Sequence, residues 1–236
     1  KKSVKRGYDL DAYYGTEEGN DYTAYNIQKY KNGKPGYQIK LNNREYEVRL
    51  NVPGYHMVYN SLAALATAYE LGIPISSAIL GIMGFTSKAQ RMEIIRIGDG
   101  VMINDTYNAC PESMDAALSV LYDLSEGRRK TAVLGDMLEM GSYSEDVHRQ
   151  LGMTCVEHGI ELLICMGDQA KCVSEGALKA GMNVGNIYLC DNHKQLNDLL
   201  AVLIKSNDAV LVKGSRGMKM EEGVHAISAM WQKGVN

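Results

Sequence analysis

The sequence predicts an α/β protein in two parts: a small β-rich segment followed by helices, then a Rossmann-like domain with a mainly parallel sheet. Three observations predict this class. Apolar and polar residues alternate with a period of two in three stretches between Tyr22 and Val52, and a three-and-four spacing takes over at His56. Beyond Gly84, strand-like and helix-like stretches follow one another with little interruption, which argues for a parallel, doubly wound sheet.

The first strand candidates are Tyr22 to Ile27, Tyr37 to Leu41 and Tyr46 to Val52. Turn chemistry separates them, in Asn32-Gly33-Lys34-Pro35-Gly36 and in Asn42-Asn43, so they are read as a small antiparallel unit ended by Pro53-Gly54. From His56, the residues Leu62, Ala63, Leu65, Ala66 and Leu71 fall on a helical repeat that Gly72 stops before Pro74. A second short helix is expected over Ser76 to Met83. The domain boundary is placed between Phe85 and Lys88, giving domains 1–86 and 87–236. In the second domain the strand candidates are Glu93 to Ile97, Val101 to Asp105, Thr131 to Leu134, Leu162 to Met166, Ile187 to Cys190 and Ala209 to Lys213. Helices are expected near Glu112 to Leu124, Ser144 to His158, Gln169 to Ala180, Lys194 to Lys205 and Met218 to Gln232.

The 236 residues carry 25 Lys and Arg against 28 Asp and Glu, a formal charge of 25 − 28 = −3, and 45% are apolar. That balance excludes a disordered tail, a disulfide-stapled module and a polybasic nucleic-acid binder. No apolar run approaches the ~20 residues of a membrane helix, and Lys1 to Gly7 is too basic for a signal peptide. A cytoplasmic chain is therefore expected, with no membrane insertion and no nucleic-acid partner. The five cysteines, Cys110, Cys155, Cys165, Cys172 and Cys190, are odd in number and never form a C-x-x-C pair, so reduced thiols and no metal site are expected.

In an open parallel sheet, ligands bind beyond the carboxyl ends of the strands, which makes the residues after each strand informative. The run Asn104-Asp105-Thr106-Tyr107-Asn108-Ala109-Cys110 offers donors and an acceptor before Pro111 opens a helix; an Asx turn with a helix cap is the plainer reading. Asp136 and Glu139, between Gly135 and Gly141, suit a cationic substrate group or a magnesium-bound water, or are solvated loop acids. In Lys213-Gly214-Ser215-Arg216-Gly217, two cations and the amides of a following helix suit a carboxylate or phosphate. Arg91, at the domain junction, suits a phosphate or a surface ion pair. His56 and Asn60 share one helix face, as ligand contacts or as a cap or core histidine. No G-x-x-x-x-G-K-[ST] loop, G-x-G-x-x-G, H-E-x-x-H or G-x-S-x-G is present, so the chain has no phosphate cradle of its own.

Taken together, Gly54 to Ala64, Arg91-Met92-Glu93, Asn104 to Met114, Leu134 to Glu139 and Lys213 to Arg216 resemble the Mur ligases, the ATP-dependent amide-forming enzymes of peptidoglycan synthesis. The Tyr107-Asn108-Ala109-Cys110-Pro111 loop and the Lys213 to Arg216 segment are similar to the member that joins D-Ala-D-Ala to UDP-N-acetylmuramoyl-tripeptide. The resemblance spans nearly the whole chain. It implies that residues 1–86 are the end of a central P-loop ATPase domain and residues 87–236 the C-terminal ligase domain. The UDP-binding domain and P-loop are then missing, and the chain alone is expected to be inactive.

The implied mechanism is carboxyl activation by ATP to an acyl phosphate, followed by attack of the dipeptide amine. ATP and Mg2+ are the implied cofactors, held mainly by the missing part, and the full enzyme is expected to work as a monomer. Implied catalytic residues are Arg91 and Asp105, with ATP contacts from His56, Asn60, Arg91 and Asp105. Implied substrate contacts are Asn108, Cys110, Asp136, Lys213, Ser215 and Arg216. Two positions depart from the family pattern, which usually has Asn where Met57 and Cys110 stand. Two rival readings are a folylpolyglutamate- or cyanophycin-type amide ligase and a non-catalytic Rossmann-like module that binds a small acidic ligand.

Overall fold

The computed structural model describes residues 2–5 and 11–234. Part of the basic segment Lys1 to Gly7 lies outside the described residues. The chain divides into two compact units, Lys1–Ser87 and Lys88–Asn236.

The first unit has five strands in sequence order, β1 (Lys2–Lys5), β2 (Asp11–Gly15), β3 (Tyr22–Lys29), β4 (Pro35–Leu41) and β5 (Arg44–Arg49). The three expected strands are present, and two more precede them. The expected unit of β3, β4 and β5 is antiparallel, as the sequence predicts, and so is the pair β1–β2; β2 and β3 run parallel. The parallel pairing is confined to Tyr14 with Tyr22 and Gly15 with Thr23, and the short connection Thr16 to Asp21 joins them. Asn42 and Asn43 both take positive φ, 49° and 60°, the backbone of the two-residue turn that joins β4 to β5.

Two helices complete this unit, α1 (His56–Glu70) and α2 (Ile75–Met83). Leu62, Leu65 and Ala66 of α1 are fully buried with Ile39 and Val48 of the sheet, which is the face the three-and-four spacing predicts. Gly72, at φ +77°, ends α1 in the left-handed conformation that glycine adopts without strain.

The second unit is a six-stranded sheet in the order β10-β9-β8-β11-β7-β6. Its strands are β6 (Glu93–Ile97), β7 (Gly100–Asp105), β8 (Lys130–Gly135), β9 (Leu162–Met166), β10 (Ile187–Cys190) and β11 (Ala209–Lys213). All neighbours are parallel except β6 and β7, a hairpin whose three-dimensional neighbour is also its neighbour in sequence. Helices α3 (Pro111–Ser125), α4 (Ser144–Glu157) and α5 (Ala170–Lys179) bury Leu118, Leu121, Leu151 and Val173 in one core. Leu196 and Leu200 of α6 (His193–Leu203), with Ile227 and Trp231 of α7 (Glu221–Gly234), fill a second core with the alternate strand residues Met102, Val133 and Val212. Helices on both faces explain why β8, β9 and β11 read as continuous apolar runs rather than as alternation.

One helix start differs from expectation. The turn at Arg216–Met218 is a separate 3-10 segment, Lys219 is left-handed at φ +50°, and α7 begins at Glu221 rather than at Met218.

The strand order sets up the site. From β7 the chain moves outward through β8, β9 and β10, then returns so that β11 lies between β8 and β7. The carboxyl ends of β7, β11 and β8 therefore stand side by side at the reversal, the position where open α/β sheets bind ligands. Asp105, Lys213 and Leu134 are register partners there.

Candidate active site

Three neighbouring strand ends supply the site of the second unit. Lys213, the last residue of β11, is 1% exposed, which for an ammonium demands full compensation. Its Nζ donates to Asp105 Oδ2 at 2.5 Å and to the Asn108 carbonyl at 2.9 Å. The second oxygen of Asp105 accepts from the Met92 amide at 3.0 Å. Lys213 thus points inward, into the loop that follows β7, and its charge is met inside the protein.

Arg91 and Arg216 are exposed. The Arg91 guanidinium lies over the Tyr107 ring, 3.8 Å from its centroid, a cation-π stack. Arg216 Nη1 donates to Gln90 Oε1 at 2.6 Å and to Glu221 Oε1 at 3.2 Å. Gln90 in turn receives the Tyr107 amide on its carbonyl at 3.0 Å. The loops before β6, after β7 and after β11 are therefore knitted together around Gln90.

Ser215 and Asp136 work inside the scaffold. Ser215 Oγ accepts from the Leu138 amide at 2.9 Å, and the Ser215 amide donates to the Asp136 carbonyl at 3.0 Å. The Asp136 carboxylate, 6% exposed, accepts from the Gln169 amide at 3.2 and 3.3 Å. Burial pushes its carboxyl above the usual 3.8, opposed by the hydrogen bond from the Gln169 amide. Asn108 presents an exposed side chain, and Cys110 is half-buried at the N-cap of α3, where its amide donates to Ser113 Oγ at 3.0 Å. Pro111 follows at the first helical position, which has no need of an N–H.

Among the predicted residues, Asp105, Asn108, Lys213, Arg216 and Arg91 gather at this end of the sheet; Asp136 and Ser215 brace the loop after β8. His56 and Asn60 belong to the first unit, near the start of α1. Asn60 is exposed, and its Nδ2 faces Met57 Sδ at 3.5 Å, a weak acceptor. Asn60 and Met57 line an apolar cleft of about 480 Å³ with Leu50, Ala64, Ile82 and Phe85.

Sequence reasoning gave no role to His148, Gly167 or the Tyr107 ring. His148 is fully buried; its Nε2 accepts from the Met137 amide at 2.9 Å and its Nδ1 lies 2.6 Å from the Ser144 carbonyl. Those partners assign the neutral tautomer with the proton on Nδ1. Its four-residue spacing from Ser144 on one helix face was the available signal, and it does not separate this role from ordinary packing. Among the described residues, no group of three or more His, Cys, Asp or Glu is placed to hold a metal ion, and the five cysteines are free thiols.

A doubly wound sheet with exposed guanidiniums at its strand reversal defines the class of open α/β domains whose loops gather polar groups at that end. Residues 90–216 match the family described as Mur ligase, glutamate ligase domain, and residues 1–68 match the Mur ligase middle domain. The chain belongs to the Mur ligase family. It is 32% identical over 210 residues to the UDP-N-acetylmuramoyl-tripeptide--D-alanyl-D-alanine ligase of Bacillus subtilis, covering 89% of this chain and 45% of that protein. The ligase of the same name from Escherichia coli is 30% identical over 210 residues, with 88% and 44% covered. A crystal structure of MurF from Acinetobacter baumannii superposes with a TM-score of 0.80 at 28% identity, covering 91% of this chain and 46% of that one. The chain thus spans somewhat less than half the length of these relatives.

Proposed function

We propose that this chain is part of an ATP-dependent ligase that joins D-Ala-D-Ala to UDP-N-acetylmuramoyl-tripeptide, with residues 1–86 from the central ATPase domain and 87–236 forming the C-terminal ligase domain. The observation that carries the reading is the pair of exposed guanidiniums at the carboxyl end of the sheet, Arg216 bonded to Gln90 and Arg91 lying over Tyr107. A reaction that gathers a carboxylate and polyphosphate needs fixed cations, because preorganised charge costs no reorganisation when the transition state forms. The names of the relatives support the substrate assignment.

In this reading Arg91 serves the terminal phosphate of ATP, Asp105 stands beside the nucleotide, and Arg216 binds a substrate carboxylate. Asn108 and Cys110 line the dipeptide side, Lys213 holds their loop from beneath, and Ser215 and Asp136 brace the neighbouring loop after β8. His56 and Asn60 of the first unit serve the adenine. The residues present fit an anionic nucleotide, and Mg2+ would be held mainly by the part of the ligase outside this chain. When bound, ATP supplies the phosphoryl group that activates the tripeptide carboxylate. The enzyme acts in the cytoplasm as a monomer.

The test is phosphate release by the longer polypeptide with ATP, magnesium and UDP-N-acetylmuramoyl-tripeptide, with the 236-residue chain as control. D-Ala-D-Ala-dependent release by the longer polypeptide alone is expected. Release with glutamate in place of the dipeptide would move the assignment to a sister ligase.

A further inference from the structure

We propose that Asp105, Lys213 and Tyr107 are positioning residues for Arg91, and that Arg91, rather than Lys213, is the cation this loop offers to an anionic ligand. The positioning claim stands on the geometry of the second unit; the identity of the anion as a phosphate rests on the ligase reading above.

Arg91 sits between two non-glycine residues in the left-handed region, Gln90 at φ +64° and Met92 at φ +49°. Such backbone is costly for residues with a Cβ and persists only where neighbours over-determine it. Here the neighbours do so bond by bond. The Met92 amide is held by Asp105 Oδ1, whose partner oxygen is held by Lys213. The Gln90 amide donates to Glu93 Oε2 at 3.2 Å, its carbonyl accepts from Tyr107, and its side chain accepts from Arg216. The buried Asp105–Lys213 pair thus fixes the backbone from which Arg91 projects.

The guanidinium itself is placed differently. It lies over the Tyr107 ring, and among the described residues it has no carboxylate within salt-bridge distance. The ring contact holds the side chain by cation-π attraction and spends no carboxylate on it, so the exposed guanidinium keeps N–H donors for an anion. Lys213 is the reverse, with 2% of its side chain exposed and its donors directed to Asp105 and Asn108.

Proton NMR of the 236-residue chain tests the arrangement directly. The Arg91 Cδ protons are expected well upfield of ordinary arginine because of the Tyr107 ring current. Tyr107→Phe keeps the shift and Tyr107→Leu abolishes it. The double variant Asp105→Leu/Lys213→Met, which leaves no lone buried charge, weakens the shift although the ring is intact. An unshifted Arg91 in the parent chain, or a shift untouched by the double variant, would overturn the proposal. Tyr107 is 44% exposed, so its variants keep the test open even where the double variant does not fold.

In the longer ligase, Tyr107→Leu is expected to lower turnover roughly tenfold, by loss of orientation. It should add nothing to Arg91→Ala, and Tyr107→Phe should restore the rate. Equal losses on both backgrounds would overturn the coupling. If Arg91→Ala left turnover unchanged while the parent chain showed the ring-current shift, the phosphate role would fall and the positioning would stand.

Discussion

Gly167 follows β9 at φ +127°, and a Cβ built there would lie 2.4 Å from Asp136 Oδ2. Two demands therefore meet at one residue: a backbone that side chains rarely adopt, and contact with a buried carboxylate. Gly167→Ala is expected to destabilise the second unit by about 2 to 4 kcal/mol, read from its urea midpoint. Asp136 carries a pH signature of its own. Because burial raises its folded carboxyl above the ordinary 3.8, the native state binds more protons than the unfolded state in the window just above that value. Stability contributed by Asp136 is then fullest when it is protonated and falls as pH rises through the folded value. Relative to Asp136→Asn, the parent chain should lose stability as the pH rises above the ordinary carboxyl value of 3.8 and through the raised folded value; a relative gain over that rise would contradict the burial argument.

At the scale of elements, α4 and α5 approach closely enough for their backbones to touch. A Cβ on Gly152 would fall 1.9 Å from the Val173 carbonyl oxygen, and one on Gly176 would fall 1.8 Å from that of Arg149. Helix propensity favours Ala over Gly by about 1 kcal/mol. Overpacking against backbone, which has no rotamer to yield, costs about 1 to 3 kcal/mol or more and should win. Gly152→Ala and Gly176→Ala are both expected to lower the thermal midpoint. Gly81, in α2, has nothing within 4 Å of its built Cβ, so Gly81→Ala should follow propensity instead and raise stability by up to about 1 kcal/mol. Calorimetry of the three variants checks the contrast, and three shifts of one sign would contradict it.

The elements were also the most legible part of the sequence. Runs such as Leu162 to Met166 and Ala209 to Lys213 are apolar because both faces of the sheet are covered, and they read as strands without ambiguity. Strand β2 was missed because Asp11-Ala12-Tyr13-Tyr14-Gly15 sets two tyrosines side by side and shows no alternation. The start of α7 was misplaced because Lys219 adopts positive φ without glycine to announce it.

For the whole molecule, the polar loops at the strand ends marked where chemistry gathers, since topology alone directs ligands there. What each side chain does was not legible. Lys213 and Arg216 belong to one short cationic motif, yet Lys213 turns in to meet Asp105, 108 residues away in sequence, while Arg216 stays exposed. Spacing along the chain carries no information about such a partner. The same holds for Arg91 and Tyr107, which meet because β6 and β7 form a hairpin whose strands carry them to one end.

In the ligase reading, the cations at this end exist to hold phosphate near a carboxylate, so the longer polypeptide should activate that carboxylate through an acyl phosphate. Replacing Arg91 by Ala should therefore slow turnover roughly a hundredfold with the fold intact, checked by steady-state kinetics beside circular dichroism. The most direct measurement supplies UDP-N-acetylmuramoyl-tripeptide with its reacting carboxylate labelled by oxygen-18, with ATP, magnesium and D-Ala-D-Ala, and follows the label. Acyl-phosphate chemistry predicts one labelled oxygen in the released phosphate for each amide formed. Amide formation with all the label retained in the peptide and water would contradict it.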